Sequence, residues 1–453
     1  MEGTPKLQQL PSFLLILFFA VYVLPFSAST AAGATTATTI RVQIKLIHGD
    51  AHRNLTYQQH LDAGLRRTQD RAMHLLNQTM KVQPDHRKSS PPSQKTSTVQ
   101  SKIQGYHGEY IMRLAVGTPP TSFFADIDTG SPLTWAKCPQ LEDPLFDPKS
   151  SSSYSKVPCS NPLCNITGAI SICDDDDQSC DYGVMYGDGS LALGTLSWET
   201  FHLGPLTVKN VAFGCSFFVG GFDHMQPAIV AFNRGPLSLI SQLGPLIGHQ
   251  FSYCLGGFEA SDQSKLTLGP SSDSIRSNAT ISVPLLVNPS NPDQYFVALQ
   301  GISVGGKRLP IPESAFQFGP NGNGGVVVDS GTTIMTLVPK AYSHVKEAFV
   351  KGLGQLTQVP HLNDTLQFDA CFHGVPNSNS IPTFTLHFDG GDLQVPIENY
   401  ILRDEEMQKS CLAIIPSPTP ANIIGATTMQ NFHVNFDLGA NTITFTRVQC
   451  SKL

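Results

Sequence analysis

The stretch Phe123-Phe124-Ala125-Asp126-Ile127-Asp128-Thr129-Gly130-Ser131-Pro132-Leu133-Thr134-Trp135 decides the fold. An apolar run ends in a carboxylate, and a small hydroxyl residue and a glycine follow at once. Val326-Val327-Val328-Asp329-Ser330-Gly331-Thr332-Thr333 repeats the design 201 positions downstream (329 minus 128). Apolar runs of this length read as strands, and the glycine lets the backbone turn sharply just after the acid. Either copy alone is ordinary turn chemistry. Two copies about half a mature chain apart imply two similar β lobes, each contributing half of one site.

Two carboxylates held about 3 Å apart cannot both ionise, so they share a proton. One then acts as general base on a water while the other donates to a carbonyl. This chemistry hydrolyses an amide without a covalent intermediate, and no metal or organic cofactor is called for.

Composition agrees with an all-β chain. The 453 residues are 40% hydrophobic and 14% charged, and the 38 Gly and 33 Pro suit many turns better than long helices. A net charge of −6 gives no reason to expect a nucleic-acid partner. Lys6, the apolar run from Phe13 to Leu24 and the small residues Ser27, Ala28 and Ser29 read as a signal peptide over residues 1–30. No later run approaches the length of a membrane span, so no membrane association is expected once the signal is removed.

Residues 31–105 read as a prosegment and linker. Ile40 to His48 is strand-like, Leu61 to Val82 is basic and helix-compatible, and Asp85 to Ser101 is a Ser/Pro/Lys-rich linker. Its cations suit an acidic cleft, as an intramolecular inhibitor weakened by acid.

With both acid motifs in place, the chain from about Tyr110 to Cys450 resembles the pepsin-like aspartic proteases, most closely the plant nepenthesin-like branch. The resemblance implies a bilobal pepsin-like acid protease fold, with an N-terminal lobe over residues 106–288 and a C-terminal lobe over 289–453. It assigns Asp128 and Asp329 as catalytic, supported by Thr129, Gly130, Ser131, Ser330, Gly331 and Thr332. Tyr186-Gly187-Asp188-Gly189 resembles the flap that closes over substrate, and Trp135 matches the tryptophan that hydrogen-bonds the flap tyrosine. Protein or peptide substrates and a monomer are expected.

Two departures stand out. Ala231 and Asn233 stand where the family keeps glycines in the segment beneath the first acid, and a methyl at Ala231 predicts some adjustment near Asp128. Asp126 stands where relatives carry an aliphatic residue bordering the pocket for the residue before the scissile bond. On a strand it shares a face with Asp128.

Ten cysteines behind a signal peptide imply disulfides formed in the secretory pathway. Zinc is the competing reading, but no paired C-x₂-C spacing occurs. The family resemblance implies the pairs Cys138–Cys215, Cys159–Cys180, Cys164–Cys173, Cys254–Cys450 and Cys371–Cys411. Sequons at Asn54, Asn77, Asn165, Asn278 and Asn363 suit glycosylated loops. The run Asp174 to Asp177 reads as a solvated loop rather than a metal site, since no ligand spacing accompanies it. The C-terminal Ser451-Lys452-Leu453 matches a peroxisomal address, judged coincidental in a chain with these secretory features. The expected location is extracellular, in the apoplast or cell wall rather than the vacuole. The alternative function is a non-catalytic binding protein, such as a xylanase inhibitor, on the same scaffold.

Overall fold

In the strand Thr121–Asp128, Phe123, Ala125 and Ile127 enter the main apolar core while Asp126 and Asp128 share the opposite face. The computed structural model describes residues 40–48, 110–141, 143–165, 170–174, 176–186, 190–221, 228–257, 264–270, 280–354, 357–359, 368, 370–374, 376–404 and 408–453. The expected signal peptide over residues 1–30, Leu61 to Val82, the expected linker, Gly187, Asp188 and the sequons Asn54, Asn77, Asn278 and Asn363 lie outside them. Asn165 is exposed at the end of a short 3-10 turn, Pro162–Asn165.

The architecture is β-rich and two-lobed, and one motif occurs twice. In the first lobe Thr121–Asp128 runs parallel to Ala228–Ala231, and Trp135–Lys137 runs parallel to Leu206–Gly220. In the second lobe Val326–Val328 runs parallel to Asn422–Ile424, and Met335–Leu337 runs parallel to Ile414–Pro416. Strands paired in this way are covered on both faces, which is why Val326–Val328 is a continuous apolar run, every residue of it buried.

Beneath both motifs lies a six-stranded antiparallel sheet. Its order is Val42–His48, Ser264–Leu268, Gln250–Cys254, Phe432–Asp437, Thr442–Arg447 and Thr280–Leu286. Alternation sets its inner face: Val42, Leu266, Leu268, Phe251, Tyr253, Val434, Phe436, Ile443 and Phe445 all join the core. Phe251 stacks on Phe436 with ring centroids 4.4 Å apart, and Tyr295 tilts against Phe436 at 4.7 Å. Burying each such ring contributes about 1.5–3 kcal/mol before any geometric bonus. The strand-like Ile40 to His48 is thus a working strand, pairing also with Tyr110–Val116.

The helix Pro339–Gly352 opens with proline in its first turn and buries Ala341, Tyr342, Val345 and Phe349, a helical stripe. No helix among the described residues is long and apolar enough to cross a membrane.

The disulfides correct two expected pairs. Cys159 is bonded to Cys173 and Cys164 to Cys180, not Cys159 to Cys180 and Cys164 to Cys173. Cys173 and Cys180 face each other across the hairpin of Ile170–Cys173 and Cys180–Met185. Burial then sorts their partners. Cys164 and Cys180 are both buried in the apolar cluster around Trp135, whereas Cys173 is exposed and meets the half-buried Cys159 at the surface. Both pairs have ordinary spans, with Cα separations of 5.5 and 5.7 Å. The remaining bonds are Cys138–Cys215, Cys254–Cys450 and Cys371–Cys411, the last between directly opposed strand residues. The Asp174 to Asp177 run serves its own loop: Asp174 accepts from the N–H of Asp176, and Asp177 pairs with Lys156.

Two outcomes follow from these contacts. In Cys173→Ser the released thiol should be Cys159, found by alkylation under non-reducing conditions and peptide mapping; release of Cys164 instead would overturn the pairing. The second concerns His433, on the outer face of the six-stranded sheet. Burial and then the charge of Arg41 hold its imidazole down at about 4. Its pKa is below the unfolded value of about 6.5, so the unfolded chain binds the proton first and stability present above that value is lost as pH falls toward 4. Urea unfolding at pH 7 and pH 4, with the chain checked intact by mass at each pH, should show a loss of stability about 3 kcal/mol larger than that of His433→Gln. Equal slopes for the two proteins would refute it.

Candidate active site

Asp128 and Asp329 each end a buried strand and enter the same turn. The Asp128 carboxylate accepts the N–H of Gly130 at 2.8 Å and the hydroxyl of Ser131. The Asp329 carboxylate accepts the N–H of Gly331 at 3.0 Å and the hydroxyl of Thr332 at 2.8 Å. The two turns therefore impose the same orientation on both acids, and both residues are buried, with 4% exposure at Asp128 and 2% at Asp329.

Reciprocal hydrogen bonds tie the turns across the lobes. Thr129 N–H donates to Ser330 Oγ at 3.2 Å, and Ser330 N–H donates to Thr129 Oγ1 at 2.8 Å. Ser330 Oγ also donates to the carbonyl of Ile127 at 3.2 Å, and Thr129 Oγ1 lies 3.5 Å from Asp329 Oδ1. Glycine is required at 331 by close approach: a Cβ there would lie 2.3 Å from Asp128 Oδ1. The second turn thus packs its backbone directly on the first acid.

Above this floor, Trp135 Nε1 donates to Tyr186 Oη at 2.7 Å, and both side chains are buried in one apolar cluster with Leu133. Tyr186 N–H donates to the carbonyl of Ser190 at 2.7 Å, closing the base of the hairpin between Cys180–Met185 and Leu191–Leu203. Electrostatics extend below the floor, where burial and then the charge of Asp329 push the Tyr253 phenol up.

Two contributors escaped the sequence reading. Gln294 Nε2 donates to the carbonyl of Gly130 at 2.8 Å, a support from the second lobe to the first acid's turn. Thr134 Oγ1 accepts the N–H of Ala231 at 3.0 Å. Neither position carries a pattern that marks it: Gln294 precedes a strand, and Thr134 reads as one more turn hydroxyl.

Ala231 is fully buried at the end of the strand Ala228–Ala231. It pairs with Asp128, as Gly425 follows the Val328–Ile424 pair in the second lobe. At Gly425 a Cβ would strike the carbonyls of Thr332 and Ile334 at 2.8 and 2.9 Å, because the chain bends under the turn and Ala426 N–H donates to Thr332. In the first lobe the chain runs on, and Phe232 N–H donates to the Asp128 carbonyl instead. Asn233, at the other departure, turns its Oδ1 onto the N–H of Gly235.

Asp126 is buried at 5% exposure, paired in register with Ile111 on one side and Ile229 on the other.

Comparison with known proteins agrees with this geometry. A model described as "Xylanase inhibitor N-terminal" matches residues 110–270, and "Xylanase inhibitor C-terminal" matches 294–447. The chain is 36% identical to aspartic proteinase nepenthesin-1 of Nepenthes gracilis, covering 97% of this chain and 98% of that protein. It is 36% identical to aspartyl protease family protein 2 of Arabidopsis thaliana, covering 79% and 74%. Among solved structures, edgp superposes with a TM-score of 0.62 at 19% identity over 76% of this chain and 93% of that one. Basic 7S globulin from soybean gives 0.59 at 20% identity over 76% and 94%; these two likenesses concern the fold alone. The chain belongs to the pepsin-like aspartic proteases, on their plant nepenthesin-like branch.

Proposed function

We propose that the protein is a secreted aspartic endopeptidase made as a zymogen, hydrolysing peptide bonds in proteins at acidic pH. The observation that carries this reading is the pair of matched acid turns locked together by Thr129 and Ser330, with Gly331 backed onto Asp128. In the mechanism, Asp128 and Asp329 hold one proton between them. The ionised member takes a proton from a water as it attacks the scissile carbonyl, and the protonated member donates to the developing oxyanion. Ser131, Thr332 and the two glycine N–H groups fix the carboxylates before substrate arrives, so little reorganisation accompanies the attack. Tyr186, steadied by Trp135, covers the substrate and excludes water.

In this reading residues 31–105 form the prosegment, which acts as an intramolecular inhibitor until removed. Its strand Val42–His48 sits in the central sheet, between Ser264–Leu268 and Tyr110–Val116. The signal peptide and the disulfides fit an extracellular location.

The second reading, a non-catalytic inhibitor, is favoured by the matching models being named for xylanase inhibitors. The two readings separate on one assay. Purified, processed protein should cleave a denatured protein at about pH 3–6, be blocked by a statine-type inhibitor, and lose roughly 10²–10⁴-fold or more of its rate in Asp128→Asn. A folded, processed wild type without cleavage would move the assignment to the binding protein.

Asp126 sets specificity in this proposal. Its carboxylate lies two residues before Asp128 on the same strand face, where it would favour a cationic substrate side chain before the scissile bond. Cleavage-site profiling on a peptide library should show Lys or Arg enriched before the scissile bond for wild type and apolar residues enriched for Asp126→Val. An identical profile for the two would remove Asp126 from that role.

A further inference from the structure

The outer face of the six-stranded sheet, away from the core, carries a cavity of about 410 Å³ that the protease reading does not use. Strand register builds it. Gln43, Thr267, Ser252 and Asn435 form one cross-strand row, and Lys265, Cys254 and His433 belong to the next. Arg41 lies two residues before Gln43 and so on the same face. The Cys254–Cys450 bond draws the terminal turn Cys450–Lys452 over this face, adding Lys452 and Leu453 to the lining.

The lining is cationic. Arg41, Lys265 and Lys452 line the cavity, and no Asp or Glu among the described residues does. Ser252, 1% exposed, belongs to the same lining, and its buried hydroxyl meets no hydrogen-bond partner among the described residues. A buried hydroxyl left so costs about 1–3 kcal/mol, and a donor beside three cations is the combination that recognises an oxyanion. The volume exceeds a bare inorganic ion and suits an oxyanion carried on a small organic body.

We propose that this cavity is a binding site for an oxyanion, phosphate or carboxylate in type, held by Arg41, Lys265, Lys452 and the Ser252 hydroxyl. Arg41 comes from the strand Val42–His48 side of the sheet, whereas the other three come from the body of the protein. A bound anion therefore bridges that strand to Gln250–Cys254 and the C-terminus. His433, depressed in part by Arg41, becomes easier to protonate once the anion screens that charge.

The test uses the full-length chain at pH 7, its integrity checked by intact mass, with inorganic phosphate and citrate as separate probes and chloride matched for ionic strength. Calorimetry should show saturable 1:1 binding of phosphate, citrate or both, which tells a phosphate-type ligand from a carboxylate-type one. Lys265→Ala and Lys452→Ala should each weaken it at least tenfold and Ser252→Ala severalfold, while Lys307→Ala on a separate hairpin leaves it unchanged. Amide exchange should slow over residues 42–48 when the anion is present. Lys452 sits on an exposed terminal turn, so its variant keeps the test valid if a buried change misfolds. No saturable binding of either probe, or equal weakening by Lys307→Ala, overturns the proposal.

Discussion

Everything at the cleft depends on one exchange of hydrogen bonds, between Thr129 and Ser330. Each residue gives its N–H to the other's hydroxyl, so neither turn can move without stranding a buried donor. An unmet buried N–H costs about 1–3 kcal/mol, and here two would be lost together. The lobes thus meet through a polar lock, and the acids on either side of it are placed by backbone. This explains why the position after each acid must carry a hydroxyl and the next must be glycine: the first makes the lock, the second lets Gly331 lie against Asp128.

The lock would be useless on a loose floor. The parallel pairs Thr121–Asp128 with Ala228–Ala231 and Val326–Val328 with Asn422–Ile424 supply the rigidity, each feeding an acid out of a buried ladder. Below them the aromatic stack of Phe251, Phe436 and Tyr295 joins strands distant in sequence into one core. Tyr295 ties back to the first lobe by donating its hydroxyl to the Phe232 carbonyl at 2.7 Å. A packing defect there would propagate to the acid turn through a single hydrogen bond.

Much of this was legible in the chain. Alternation in Thr121–Asp128 and the two acid motifs carried fold and site together, because a strand's period and a turn's glycine are local properties. What stayed hidden is non-local. Gln294 reaches Gly130 from 164 positions away, and no local pattern encodes that reach. The cysteine exchange is instructive for the same reason. Two cysteines opposed on a hairpin are equivalent by spacing, and only the burial of Cys164 and Cys180 against the Trp135 cluster decides which partner each takes.

The contrast between Ala231 and Gly425 shows how far the internal twofold extends. Ala231 pairs with Asp128 and Gly425 follows the last parallel pair before Asp329, yet Phe232 N–H still bonds the Asp128 carbonyl, whereas after Gly425 the chain turns beneath Thr332. Glycine is needed only where that turn brings two carbonyls to within a Cβ's reach. The duplicated motif is therefore symmetric in its acids, and in the hydroxyls and turn glycines that bond their carboxylates. It is asymmetric one layer down, where each lobe joins a different neighbour: the first runs on to Phe232, which packs on Phe251, and the second into the 3-10 turn Ala426–Met429. A substitution in that lower layer is judged by the path of its own chain, and on that path a methyl at 231 leaves the acid's hydrogen bonds intact.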